Sequence, residues 1–150
     1  MSFGHTPKKQ ASITLKVGNG WPELSTGEFK ANRRIPSQFE EDALANSIAR
    51  SAKEVKKQLV EYIDAALKRN KDYQPEFKFV DDKPEFDELE ARIFTAAVYQ
   101  RSHADLMSYF ATVDHKEDKD TDEQRNSLLA ESNLSIRTLL GLSRTGVHSL

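Results

Sequence analysis

Apolar residues in this chain recur at steps of three and four over three long stretches, the spacing that lines one face of an α-helix. The first stretch opens near Ser37 and runs to Lys71, with Leu44, Ile48, Ala52, Val55, Leu59, Tyr62 and Ala66 on one stripe. Its first turn is acidic (Glu40, Glu41, Asp42) and its last is basic (Lys68, Arg69, Lys71), which suits the helix dipole at both ends. Val60, Ile63 and Leu67 widen the stripe near its end, as two packing partners would require. The second stretch, from about Glu85 to Val113, carries Leu89, Ile93, Ala96, Ala97, Gln100, Ala104, Met107 and Phe110. Its small residues allow close helix approach. Tyr99, His103, Leu106 and Tyr109 fall off that stripe, toward a third helix or another subunit. The third helix opens at the approximate capping box Thr121-Asp122-Glu123-Gln124 and carries Leu128, Leu129, Ser132, Ile136, Leu139 and Leu140. Gly141 stands where a C-cap glycine would.

A shorter element precedes these. In LSTGEFKANRRIPSQFEED, residues 24–42, Ser25-x-x-Glu28 and Ser37-x-x-Glu40 both match the capping box, and Pro36 between them disfavours helix at Ile35. The pattern predicts a stub helix from Ser25 to about Asn32, a stop, and a new helix at Ser37. Leu24 and Phe29 sit where a hydrophobic staple places its two side chains. Residues 1–20 hold Gly, Pro, Lys and Ser with one β-like run, Ser12 to Leu15, and read as a mobile arm. Trp21, the only Trp, suits an anchor for that arm. Residues 70–84 break the helical pattern, and Phe77 and Phe79 would dock that connection back on the helices. The fold class expected is all-α: an elongated bundle of three main helices plus a short N-terminal stub helix, with extended N- and C-terminal arms. Its divisions are a flexible arm over 1–20, a helical domain over 21–141 and an extended tail over 142–150.

Composition adjusts this picture in two ways. At 150 residues the chain makes one domain, but 37% hydrophobic against 31% charged residues suits a thin helical protein or a subunit that completes its core with neighbours. The net charge of −2 is also unevenly spread. Residues 50–71 carry seven bases and three acids, whereas residues 72–90 carry eight acids and two bases and residues 114–124 six acids and two bases. Solvated helices and loops alternate in this way, and so does a subunit whose basic surface meets an acidic one on its neighbour. There is no Cys, hence no disulfide or thiolate metal site, and no apolar run of membrane-spanning length or signal-peptide character.

Candidate chemistry is sparse. The four His residues, at 5, 103, 115 and 148, have no metal-ligand spacing, and no P-loop, dinucleotide fingerprint or nucleophile elbow is present. Paired carboxylates sit at helix starts and in loops, where capping explains them. No enzyme and no cofactor are expected. Lys30, Arg33 and Arg34 form the strongest local basic cluster, read either as the cationic end of the stub helix or as a contact for phosphate or a partner.

The order of these features resembles a known family. Trp21-Pro22-Glu23-Leu24 leads into a stub helix ending in basic residues and then a Pro-started long helix. The second long helix carries Arg92, Ala97-Val98, Ala104-Asp105-Leu106 and Tyr109. An Asp-rich loop, a third helix with Arg137 and a tail with Arg144, Val147 and Leu150 complete the chain. From about residue 17 onward it is similar to the head completion/stabilisation proteins, the L family, of tailed bacteriophages with contractile tails. The resemblance implies a structural virion protein at the head–tail neck, made in the host cytoplasm, that forms a connector or adaptor ring, typically a dodecamer, beneath the portal. Its implied partners are the portal protein ring, the downstream neck or tail-completion protein and copies of itself, with non-specific contact to genomic DNA in the channel and no membrane. On that reading Arg144, Val147 and Leu150 are portal-binding candidates, through strand addition by the tail. Trp21, Phe29, Tyr99 and His103 are subunit-interface candidates, and Lys30, Arg33 and Arg34 face channel DNA. The competing expectation is a small helical regulatory or nucleic-acid-binding protein whose Arg33-Arg34 and basic 50–71 face touch phosphates, with steep salt dependence.

Overall fold

The computed structural model describes residues 11–114 and 119–142, and side chains over 11–109 and 121–142. Four helices and two short antiparallel strand pairs occur among these residues. The strands are an addition to the all-α expectation. Thr14–Leu15 (β1) pairs with Leu24–Ser25 (β2), and the chain then enters Thr26–Arg33 (α1). Ser25 caps α1 as its sequence demands, its hydroxyl accepting from Glu28 N at 2.9 Å. Arg34 ends α1 in the left-handed conformation at φ 53°.

From residue 11 on, the arm expected to be mobile is tied to this corner. Thr26 N donates to Ile13 O at 3.0 Å, Ile13 N to Thr26 Oγ1 at 2.8 Å, and Gly27 N to Ser12 Oγ at 3.0 Å. A Cβ on Gly27 would stand 2.8 Å from that Ser12 oxygen, so the approach needs glycine. Two-residue strands are too short for their pattern to separate pairing from loop.

The next helix, Glu41–Arg69 (α2), begins later than Ser37, and its N-cap position, Glu40, makes no side-chain capping bond. Ile35 and Phe39 explain the delay. Both are buried, and a link that turns at Ser37 and Gln38 lets each reach the core before the helix begins. A 29-residue helix is about 44 Å long. Its Leu44, Ile48, Ala52, Val55 and Leu59 are buried along one face, as the stripe predicts.

Lys78–Val80 (β3) and Lys83–Glu85 (β4) then form a hairpin where the sequence reads as an irregular connection. Asp81 and Asp82 turn it with φ 53° and 64°, the positive pair that a two-residue hairpin turn requires. Phe77 and Phe86 close on each other at 4.8 Å between ring centroids, and Trp21 meets Phe94 at 4.9 Å. The aromatics of this connection thus dock back on the bundle.

Glu88–Asp114 (α3) opens on a reciprocal box, with Glu90 N on Asp87 Oδ1 at 2.7 Å and Asp87 N on Glu90 Oε1 at 2.9 Å. It packs against α2 and, more extensively, against Lys119–Leu139 (α4), which starts two residues before the expected Thr121. Two-sided packing blurs the α3 stripe. Leu89, expected on it, is 64% exposed, while Phe94, Val98 and Tyr99 are buried. Polar seams sit inside these contacts: Ser132 Oγ donates to Ala97 O at 2.8 Å, and Ser47 and Ser102 hydroxyls meet at 2.7 Å. Gly141 (φ 68°) reverses the chain after α4, with Leu142 N donating to Arg137 O at 2.8 Å. Of the charged loop expected over 114–120, Asp114 belongs to α3 and Lys119 and Asp120 to α4, and residues 115–118 lie outside the described residues, as does the tail beyond 142.

Candidate assembly surfaces

The stub helix is locked to the bundle by polar contacts that use most of its charge. Phe29 is fully buried and meets Tyr99 at 5.3 Å between centroids. Full burial of such a ring is worth about 2–3 kcal/mol. The Tyr99 hydroxyl accepts from Ser25 N at 3.0 Å and donates to Glu28 Oε1 at 2.8 Å. It therefore stands inside the capping box, bridging the donor and carboxylate that would otherwise bond directly. Burial raises its pKa above the ordinary tyrosine value; the Ser25 backbone bond opposes the rise and Glu28 reinforces it.

Glu41 lies beneath the same helix, 4% exposed. It accepts from Thr26 Oγ1 at 2.9 Å and pairs with Lys30 Nζ at 2.9 Å. Arg33 Nε donates to His103 Nδ1 at 3.2 Å. His103 is held below its ordinary pKa by burial and then by the Arg33 charge, with Glu131 of α4 pulling the other way.

The structure thus joins Phe29 to Tyr99 and Arg33 to His103 inside one subunit. The sequence placed Phe29 and Tyr99 at a subunit interface, but both are enclosed in the subunit's own core, so their rings do not reach the surface. Trp21 is separate from them, half-buried, with Lys56 Nζ 5.0 Å from its ring centroid. Of the three basic residues, Lys30 and Arg33 have partners and Arg34 is exposed. Arg144, Val147 and Leu150 lie outside the described residues.

Two surfaces escaped the sequence reading. The first is apolar. Val60 on α2 is 54% exposed, and Phe79 and Val80 on the hairpin are 41% and 47% exposed. Beside them runs a groove of about 1040 Å³ between α2, Trp21 and the segment from Gln74 to Phe79. The run Phe79-Val80 before Asp81-Asp82 was its sequence signal, hidden by the surrounding acids. The second is a cavity of about 300 Å³ lined by Arg50, Arg101 and Arg125 among others. There Arg50 pairs with Asp105 at 3.0 Å, and Arg125 donates to Ser108 Oγ at 3.2 Å. Among the described residues no cluster of three His, Asp or Glu could hold a metal, and no helix is long and apolar enough to cross a membrane.

No curated protein and no solved structure matches the chain. A protein-family model does match, that of the phage head completion protein (GPL), over residues 16–150. With the match running through the stub, the bundle and the tail, this chain belongs to the phage head completion protein family, whose members are structural proteins of the phage head.

Proposed function

We propose that this chain is one subunit of a connector ring, probed most simply as a dodecamer, that assembles beneath the portal of the DNA-filled head and offers the docking surface for the neck or tail-completion protein. Membership of the head completion family over residues 16–150 carries the reading. The subunit's form supports it. A ring joins two different faces of each subunit. On α2, Lys53, Lys57, Lys68 and Arg69 are exposed bases, Lys57 standing 3.9 Å from Glu61, and Asp81, Asp82, Glu85, Asp87 and Glu88 are exposed acids around the hairpin and the start of α3. These two regions meet between neighbours, and Trp21 and His103 remain candidates for subunit contact. Arg34 is the basic residue of the stub best exposed for channel DNA, since Lys30 and Arg33 are engaged within the subunit. Arg144, Val147 and Leu150 address the portal, the tail adding a strand there.

Mixing the protein with the portal ring of the same genome and imaging the product by cryo-electron microscopy tests this. A symmetric added layer, with α2 of one subunit against the hairpin of the next, is the expected result. Portal rings left bare at saturating protein would refute it, and DNA binding that collapses with salt would then favour the nucleic-acid reading.

A further inference from the structure

Three helices bring arginines to one cavity. Arg50, Ser51 and Glu54 come from α2. Arg101, Asp105 and Ser108 recur at steps of four and three along α3, and Arg125 comes from α4. The space they surround, about 300 Å³, suits a small ligand. Ser51, only 4% exposed, belongs to its buried wall.

The cavity holds more hydrogen-bond donors than the subunit uses. Arg50 is engaged: its NH2 donates to Asp105 Oδ2 at 3.0 Å, and the same oxygen accepts from Ser47 Oγ at 2.9 Å. Arg125 gives one N–H to Ser108 Oγ at 3.2 Å, while its Nε is buried without a partner. Among the described residues Arg101 makes no hydrogen bond or ion pair, and the Ser51 hydroxyl makes no hydrogen bond. Buried donors are normally paired, so these call for an acceptor. Three guanidiniums face two carboxylates, Asp105 and Glu54. Asp105 is taken by Arg50, and Glu54 forms no ion pair among the described residues. The unmet donors, more than the small net charge, decide what fits. They come from three helices and therefore from three directions. A planar carboxylate matches a single guanidinium fork, whereas a tetrahedral oxyanion offers acceptors toward all three.

We infer that this cavity binds a small tetrahedral oxyanion of the phosphate class, held by Arg101, Arg125 and Ser51. Arg101 supplies the free guanidinium. Arg125 Nε and the Ser51 hydroxyl meet the ion's oxygens at the buried wall, and Arg50 stays with Asp105. Glu54, half-buried beside them, opposes the ion and keeps its affinity modest. Bound there, the ion joins α2, α3 and α4 and stabilises the folded subunit by mass action. The site is complete within one subunit, so its failure would leave the ring reading untouched.

NMR of the arginine Nε–H groups, with inorganic phosphate added at constant ionic strength, reads the site directly. Saturable shifts of the Arg101 and Arg125 resonances are expected. Arg101→Gln, read at Arg125, should weaken binding about tenfold or more through loss of a charge-assisted contact. Glu54→Gln keeps the shape of the wall and removes the opposing charge, so it should tighten binding by about threefold or more. This second variant preserves the test if the first fails to fold. Phosphate should also raise Tm, and because it strengthens burial in any protein, the rise beyond that seen in Arg101→Gln is the readout. Resonances that drift linearly without saturating, or that saturate alike in wild type and Arg101→Gln, would overturn the inference. So would an affinity unchanged by Glu54→Gln. A short single-stranded oligonucleotide supplies the last arm: shifts produced by it and not by phosphate would overturn the small-ion site and assign the cavity to a nucleic-acid backbone.

Discussion

Replacing Tyr99 by Phe removes one oxygen from the junction of arm, stub and bundle. That oxygen accepts from Ser25 N at 3.0 Å and donates to Glu28 at 2.8 Å, in a side chain only 2% exposed. Loss of a donated bond costs about 1 kcal/mol, and leaving a partly buried backbone N–H without a partner adds about 1–2 kcal/mol. The ring remains, so its packing against Phe29 is kept. The sum is about 2–3 kcal/mol, which for a chain of this size lowers Tm by roughly 4–12 °C. Scanning calorimetry near pH 7 measures it. Alkaline pH supplies a second check. The folded-state pKa of Tyr99 is raised, so the stability tied to its neutral form is fully present below the unfolded value of about 10 and is lost as pH rises toward the folded value. The wild-type protein should therefore lose stability more steeply than Tyr99→Phe above pH 10, and the gap between them should narrow. Tyr73, also raised, chiefly by burial, is present in both proteins and cancels. A Tm within 1 °C of wild type, with a gap that does not change between pH 9 and 11, would refute the bridging role.

Other perturbations address neighbouring features. Lys30→Ala leaves the buried Glu41 carboxylate with Thr26 but without its cation, and should cost on the order of 2 kcal/mol in guanidinium titrations; adding Glu41→Leu should recover most of it. Asp82→Gly relieves a left-handed residue in the hairpin turn and should raise stability by about 1 kcal/mol, read as a higher calorimetric Tm. Because His103 has a lowered folded pKa, its contribution is present above about pH 6.5 and is lost as pH falls through the folded value; His103→Gln should flatten that acid limb, with the imidazole titration followed by NMR. Gly141→Ala, forced to φ 68°, should cost about 1–2 kcal/mol by the same denaturation assay.

What could be read from the chain depended on how many partners each element has. The inner face of α2 is a single stripe because its buried face looks one way, and Leu44 to Leu59 announce it. α3 packs on two sides, so no single stripe marks it, and the periodicity that assigned Leu89 inward followed a face that the fold leaves open. Ser25 was legible as a cap because the bond is local, three residues long. Its completion by Tyr99 was not, since no short-range pattern reports a partner 74 residues away. Arg33 with His103 escaped for the same reason, 70 residues apart. Ser37 shows the converse failure: the local signal was present, but burying Ile35 and Phe39 decided where the helix could begin. The hairpin was hidden because two aspartates hold a turn more often given to Asn and Gly.

The 74-residue span between Ser25 and Tyr99 also has a consequence in time. During synthesis at about 5–20 residues per second, Tyr99 is added roughly 4–15 s after Ser25. Until then β1, β2 and α1 lack the hydroxyl that joins them to the bundle, and Phe29 lacks the ring it packs on. A nascent chain halted before α3 would carry a capped stub that can reach α2 through Glu41 but lacks its contacts to α3. The amino-terminal corner therefore completes its native contacts only after α3 has been made, and in pulsed hydrogen exchange its amides should become fully protected only together with those of α3.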